Sequence, residues 1–167
     1  MKFSAGLALL LGFVLAPLAA ADAIGRSQAM FADTIAEYYV EEGGVRVELE
    51  IGMNDIAAFR NLLPDAIYER LGYEPRPHPD RLQEFFASDL VIASGEDLLV
   101  GTLREIGPRT RVVRDEVTGE ELPVLEEDAE TVVVAELFYP FTAEPPKTLM
   151  FSPPTRFGQA NVGFVVY

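Results

Sequence analysis

Residues 131–141 read TVVVAELFYPF and contain a single charged side chain, Glu136. β-Branched and aromatic residues dominate the stretch, and such side chains favour a pleated strand over a helix. Because apolar residues occupy both alternating faces, the pattern predicts a strand buried on two sides, in the middle of a sheet. On this interpretation Val134→Asp buries an unpaired charge and is expected to prevent folding.

A second stretch, residues 34–51, predicts a β-hairpin. It reads TIAEYYV, then EEGG, then VRVELEI, and in the last run apolar and charged residues alternate. A period of two places all the apolar side chains on one face, which is typical of a half-buried strand. Gly43 and Gly44 can adopt positive φ in the short loop between the two runs. On the polar face, the substitution Glu48→Lys is expected to leave the stability of the fold nearly unchanged.

Residues 54–88 predict a helical insertion between strands. Asn54 and Asp55 are good N-cap residues, and the apolar residues that follow recur at spacings of three and four. Pro64 would interrupt one long helix, so we expect helices over residues 55–62 and 65–71, with Gly72 as the stop.

The end of this insertion predicts a stiff connector and a third helix. Residues 74–79, EPRPHP, alternate proline with polar residues and are expected to be extended. Asp80 is then expected to cap the third helix, with Gln83 completing a capping box.

The remaining segments of the sequence also have strand-like patterns, so the predicted fold class is mainly β (α+β). We expect an antiparallel β-sandwich-like domain over residues 24–167, with a short helical insertion at about residues 54–88. The further predicted strands cover residues 90–93, 98–103, 109–114, 121–125, 147–152 and 160–167.

Residues 1–23 have the features of a secretory signal peptide. A basic start at Lys2 precedes an apolar block and a run of small residues that ends in ADA at residues 21–23. The block is shorter than the roughly 20 apolar residues of a spanning helix, so cleavage after Ala21 or Ala23 is favoured over an uncleaved anchor. The sequence therefore predicts a protein exported to the periplasm or the extracytoplasmic face of a membrane.

The net charge argues against one class of function, and the lack of cysteine indicates how the fold is stabilised. The formal net charge is −14, which repels nucleic acid and argues against its binding. The chain has no Cys, so its stability must come from a hydrophobic core rather than from disulfides.

The sequence offers few candidates for catalysis or metal binding. His78 is the only histidine and lies between prolines, so we interpret it as a connector residue. Two acidic clusters could collect calcium, but neither has the ligand spacing of an EF-hand loop. Their members are Asp115, Glu116, Glu120 and Glu121, then Glu126, Glu127, Asp128 and Glu130. We predict no enzymatic activity, no catalytic or cofactor-binding residues and no metal site.

Aromatic residues on the strands could instead form a binding stripe, although we interpret them as core and rim. These residues are Tyr38, Tyr39, Phe138, Tyr139 and Phe141.

Several phrases of the sequence resemble the extracytoplasmic N-terminal part of bacterial HupE/UreJ-type membrane proteins. They are ADTIAEYYVEEGGVRVELEIGMNDIAAFRNLLPDAIYERLG at residues 32–72, FYPF at 138–141, TLMFSPP at 148–154 and ANVGFVVY at 160–167. The resemblance implies a membrane-associated protein whose hydrophobic helices are linked to nickel or cobalt movement. Those helices and their histidine-bearing motif are absent here, so no family metal residue transfers to this sequence.

The last residues, ANVGFVVY, have strand composition without a turn or a polar tail, and we expect the natural product to continue into membrane-spanning segments. The sequence is then expected to act as the non-enzymatic extracytoplasmic domain of a HupE/UreJ-like protein. The alternative is a free periplasmic binding or adhesion module.

Overall fold

The alternation in residues 45–51 produces the predicted hairpin. In this computed structural model β1 (Thr34–Glu41) pairs antiparallel with β2 (Gly44–Ile51), and Val45, Val47, Leu49 and Ile51 are fully buried. The expected positive φ at Gly43 or Gly44 is wrong, because neither adopts it. Gly44 is needed for space instead, since a side chain there would overlap the backbone of Tyr139 on a neighbouring strand.

The structure describes residues 29, 32–113, 115, 120–125, 129–142, 144–152, 160 and 162–167. The predicted signal peptide, residues 1–23, lies outside them. None of the helices in the described ranges is long and apolar enough to cross a membrane.

The hairpin lies within a five-stranded sheet of order β5-β6-β2-β1-β8. Its other members are β5 (Thr102–Thr110), β6 (Thr131–Pro140) and β8 (Val162–Val166). Neighbouring strands are antiparallel except for β1 and β8, which are parallel. The strand predicted over residues 109–114 is largely wrong, because β5 begins earlier and ends at Thr110, and the strand predicted over residues 121–125 does not form beyond a single bridge at Glu121. Beyond Thr110, Leu122 N donates to Val113 O at 2.8 Å, so a short antiparallel contact follows β5.

Strand β6 forms where the sequence predicts it, but it is buried on both faces only at its start, at Val132 and Val133. Val133, Ala135, Leu137 and Tyr139 are buried, whereas the alternate residues from Val134 to Phe138 are only half-buried. β6 is an interior strand, and β2 occupies the middle position. The small sheet covers one face of β6, whereas on the other face Val132 is fully buried and Val134 is only half-buried, so apolar composition at Val134 does not indicate a fully buried position.

The second layer is a three-stranded antiparallel sheet of order β4-β3-β7, formed by β3 (Val91–Ser94), β4 (Asp97–Leu98) and β7 (Met150–Ser152). It packs on the buried face of the large sheet, where the ring centres of Phe151 and Tyr38 are 4.5 Å apart. The mainly β, sandwich-like prediction is therefore confirmed.

The predicted strand over residues 98–103 is divided between the two sheets. β4 ends at Leu98 in the small sheet, and β5 begins at Thr102 in the large one. Between them a side chain at Gly101 would overlap the rings of Phe86 and Tyr139. The chain therefore crosses from one layer to the other at a position where only glycine fits.

Apart from the single helical residue Ala29, the helical elements of the described chain lie between β2 and β3. They are a 3₁₀ turn (Arg60–Leu62), α1 (Asp65–Arg70), α2 (His78–Glu84) and a π-helical turn (Phe85–Asp89) that continues α2. α1 follows the prediction, and Gly72, with φ of 85°, ends it as expected.

The first predicted helix, residues 55–62, is wrong. Residues 53–59 form turns, and only a 3₁₀ turn follows. Asp55 does not cap a helix, because its carboxylate accepts a hydrogen bond of 2.7 Å from the buried hydroxyl of Thr34. A contact to a distant strand thus replaces the local cap.

The expected start of the third helix is also wrong. α2 begins at His78 rather than after Asp80, and no side chain caps it, so the proposed box with Gln83 does not form. Pro77 precedes the helix and Pro79 lies in its first turn, where a proline costs no intrahelical hydrogen bond.

Candidate interaction face

The surface of the large sheet that is turned away from the small sheet carries an ordered set of polar and aromatic side chains. We call it the outer face. Strand register places Tyr39, Arg46 and Phe138 directly opposite one another on β1, β2 and β6. All three are half-buried, so their rings and guanidinium group remain accessible.

Tyr167 and Arg104 extend this set at its two ends. The rings of Tyr167 and Tyr39 are stacked, with centres 4.9 Å apart and planes inclined by 11°. The guanidinium of Arg46 lies 4.0 Å from the centre of the Tyr39 ring, and that of Arg104 lies 4.0 Å from the centre of the Phe138 ring. Cations at such distances are attracted by the ring face, by about 0.5–1 kcal/mol at exposed sites. We call these five residues the aromatic–arginine row.

A second row of side chains lies beside the first. Glu37, Glu48, Glu136 and Glu105 are paired in register across β1, β2, β6 and β5. We call them the glutamate row. Like charges directly opposite each other on a sheet are unfavourable, so their arrangement demands compensation from neighbouring groups.

The arginines supply much of that compensation. Arg46 is ion-paired with Glu48 and donates a 2.8 Å hydrogen bond from Nε to Glu41, which raises the pKa of Arg46. A β-bulge at Arg104 brings its guanidinium within 3.1 Å of Glu136. Exposed pairs of this kind contribute about 0–1 kcal/mol each, so they orient the side chains more than they stabilise the fold.

Glu37 is compensated differently. Its carboxylate accepts hydrogen bonds from the hydroxyls of Tyr167, at 3.1 Å, and Tyr39, at 3.3 Å. Partial burial, and then the negative charges of Glu37 and Glu48, raise the pKa of Tyr39 to about 12. Tyr39 is therefore a neutral donor at physiological pH, and neither hydroxyl brings a positive charge to Glu37.

The structure separates the aromatic residues singled out in the sequence. Tyr38 and Tyr139 are core residues, and Tyr139 donates a 2.7 Å hydrogen bond to the carbonyl of Leu90. Tyr39 and Phe138 belong to the outer face, whereas Phe141 packs against the edge of the core. The interpretation as core and rim fits all five, and the rim members form part of the candidate face.

The other candidates do not join this face. His78 is the first residue of α2, and its Nε2 lies 3.1 Å from the carbonyl oxygen of Leu62. Of the two acidic clusters, Asp115, Glu120, Glu121 and Glu130 are described, and Glu116, Glu126, Glu127 and Asp128 lie outside the described residues. Within the ranges that the structure covers, no three His, Asp or Glu side chains converge as a metal ion requires.

Sequence reasoning missed the outer face as a unit. The period-two pattern places Arg46 and Glu48 on one polar face, but it cannot show which residues lie opposite them. Tyr167 and Glu37 are 130 positions apart, so only strand pairing brings them together.

Comparison of the sequence with protein-family models gives no match, and searches against curated proteins and solved structures give none either.

Proposed function

We propose that this chain is the non-enzymatic extracytoplasmic domain of a HupE/UreJ-like membrane protein. Its partner would be a membrane-helix region of the same polypeptide, through which the domain is linked to nickel or cobalt transport. The resemblance of residues 32–72 and 138–167 suggests the family, and the signal-like residues 1–23 suggest export.

The observation that carries the non-enzymatic role is the outer face itself. Its arginines and glutamates contact one another, and its aromatic rings are half-exposed between them. Such a surface offers shape, charge and π-faces for recognition. Locally unfavourable features, such as the opposed glutamates of the glutamate row, tend to be retained where a protein has a function to perform.

Fractionation of the natural gene product tests the proposal. We expect it in the membrane pellet after a high-salt wash, with the domain cut by protease in spheroplasts but protected in intact cells. Recovery of the product in the cytosol would contradict both export and membrane attachment.

The second candidate is a free periplasmic binding or adhesion module, which the half-exposed aromatic–arginine row favours. Recovery in the osmotic-shock fluid, together with a rise in melting temperature on addition of a small ligand, would favour this function over the first. Tyr39→Ala should abolish such a rise, whereas Tyr73→Ala, a change in an aromatic residue remote from the outer face, should leave it intact.

A further inference from the structure

Four of the six tyrosines form two neighbouring pairs. The ring centres of Tyr39 and Tyr167 are 4.9 Å apart, with planes inclined by 11°. The ring centres of Tyr68 and Tyr73 are 5.0 Å apart, with planes inclined by 35°. The two pairs are almost equally close, so a difference in their chemistry must come from their surroundings.

The two hydroxyls of the first pair converge on one carboxylate. Tyr167 donates to Oε1 of Glu37 at 3.1 Å, and Tyr39 donates to Oε2 of the same residue at 3.3 Å. Because both carboxylate oxygens are bonded to one carbon, the phenolic ends of the two rings lie next to each other. The carbons ortho to the hydroxyls, through which oxidised phenols couple, are therefore close together.

The backbone holds this pair in place. The amide of Tyr167 donates to the carbonyl of Tyr38 at 2.8 Å, and the carbonyl of Tyr167 accepts from the amide of Val40 at 3.2 Å. These two bonds lie on either side of Tyr39 and continue the parallel pairing of β1 with β8. A reaction partner that is fixed in position favours coupling within one molecule over coupling between molecules.

Glu37 also provides an acceptor for the protons that phenol oxidation releases. Partial burial, followed by the charges of Glu37 and Glu48, raises the pKa of Tyr39 to about 12, so its phenolate is scarce at physiological pH. The proton must then leave with the electron, and the hydrogen bond to Glu37 gives it a path. The resulting radical is neutral, so the guanidinium of Arg46, 4.0 Å from the centre of the Tyr39 ring, does not oppose its formation.

The surroundings also make the first pair more accessible than the second. Tyr167 is 52% exposed, and Tyr39 is half-buried. Tyr68 is only 4% exposed, and the guanidinium of Arg81 lies 4.1 Å from the centre of its ring. Burial keeps an oxidant away from Tyr68, and the nearby cation makes removal of an electron from its ring less favourable.

We propose that Tyr39 and Tyr167 are a site of oxidative cross-linking, at which a one-electron oxidant joins the two rings by a bond between their ortho carbons. Each phenol loses one electron and one proton, and the two neutral radicals combine. The hydrogen on each coupled carbon then moves to the oxygen of its ring, which restores both phenols. With a haem peroxidase as the oxidant, one hydrogen peroxide takes up the two electrons and two protons and leaves as two waters.

The cross-link fastens β8 to β1 by a covalent bond. Disulfides provide such links in many exported proteins, and this chain has no Cys with which to form one. The inference goes beyond the proposed function, since neither membrane attachment nor ligand binding requires a covalent link between strands.

The test treats the dilute purified protein with a haem peroxidase and limiting hydrogen peroxide, and follows the fluorescence of dityrosine. We expect a monomeric product that has lost two hydrogens, with Tyr39 and Tyr167 joined in one peptide by mass spectrometry. Tyr39→Phe and Tyr167→Phe keep the rings but remove a hydroxyl, and each should lower the fluorescence by about tenfold. Tyr73→Phe, the matched change in the second pair, should leave the fluorescence unchanged.

Two further measurements examine the mechanism and its consequence. Glu37→Gln keeps an acceptor oxygen but cannot take up a proton, so it should slow the initial rate by about tenfold. The cross-link closes a loop from residue 39 to residue 167, and it should raise the melting temperature by about 10 °C. Circular dichroism before oxidation verifies that each variant is folded.

Three results would overturn the proposal. They are an absence of dityrosine, dityrosine located at other residues or between molecules, and undiminished fluorescence in a folded Tyr39→Phe or Tyr167→Phe variant. An unchanged rate in folded Glu37→Gln would overturn the assignment of that carboxylate as the proton acceptor.

Discussion

The side chain of Arg81 connects several segments of the helical insertion. It is fully buried, donates hydrogen bonds to three backbone carbonyls and is ion-paired with Asp65. Its guanidinium also lies 4.1 Å from the centre of the Tyr68 ring. The three carbonyls belong to Arg60, Leu63 and Arg76. A planar fork with five donors can serve such scattered acceptors, so Arg81 connects α2 to the segments before it.

Replacing Arg81 by Met should destabilise the protein by about 3 kcal/mol, because three backbone carbonyls lose a hydrogen bond from the guanidinium and Asp65 loses its ion pair, while the apolar stem is kept. Urea denaturation measures the change as a lower midpoint at unchanged slope. Arg70→Met is the matched control, since Arg70 is exposed at the end of α1, and it should change stability by less than about 0.5 kcal/mol. Equal effects of the two changes would contradict the role of Arg81.

Two buried tyrosines provide a second comparison at this scale. The Tyr139 hydroxyl donates to Leu90 O, whereas that of Tyr38 has no hydrogen-bond partner among the described residues. Burial raises the pKa of both. Tyr139→Phe should therefore cost about 1 kcal/mol, and Tyr38→Phe should be neutral or stabilising. Thermal and urea unfolding of both variants tests this order, and a larger loss for Tyr38→Phe would reveal a partner for its hydroxyl.

At the scale of elements, β6 shows the limit of composition as a guide to burial. Val134 and Leu137 lie in the same strand, but only Leu137 contacts the core between the sheets. Val134 is on the outer face, opposite Glu50 of β2. The expectation that Val134→Asp prevents folding therefore no longer follows from its position. Glu48→Lys would likewise place a cation beside Arg46. We therefore expect a small loss of stability rather than the unchanged stability that the sequence alone predicted.

Leu137→Ala should cost about 2–5 kcal/mol, because it leaves a cavity in a fully buried site. Val134→Ala should cost about 1 kcal/mol or less, since a half-exposed side chain loses fewer contacts. Chemical denaturation of the two variants measures both values. Equal losses of stability in the two variants would contradict the placement of Leu137 on the core face of β6 and of Val134 on its outer face.

At the scale of the whole molecule, the acidic sandwich has few of the ligands that transition metals select. Imidazole and thiolate are the usual donors, and the chain has one His and no Cys. Calorimetry with Ni²⁺ should therefore show no saturable heat at micromolar concentrations, and His78→Ala should leave the trace unchanged. Tight binding that His78→Ala removes would place a nickel ligand on this domain rather than on a membrane region.

The sequence by itself determined the features that depend on neighbouring residues. The alternation from Val45 to Ile51 fixes one apolar face because successive side chains on a strand point to opposite sides. Gly72 ends α1 because it can adopt positive φ, which side chains disfavour. These local rules were sufficient for the hairpin, for α1 and for the mainly β class.

Tertiary structure decided what depends on residues far apart in the chain. Asp55 became a partner of Thr34 instead of a helix cap, and one predicted strand was divided between the two sheets at Gly101, where a side chain would overlap the Phe86 ring. Parallel pairing of β1 with β8 is what brings Tyr167 to Glu37 on the outer face. Register and layer contacts are set by the packing of the whole chain, and local preferences are too weak to specify them.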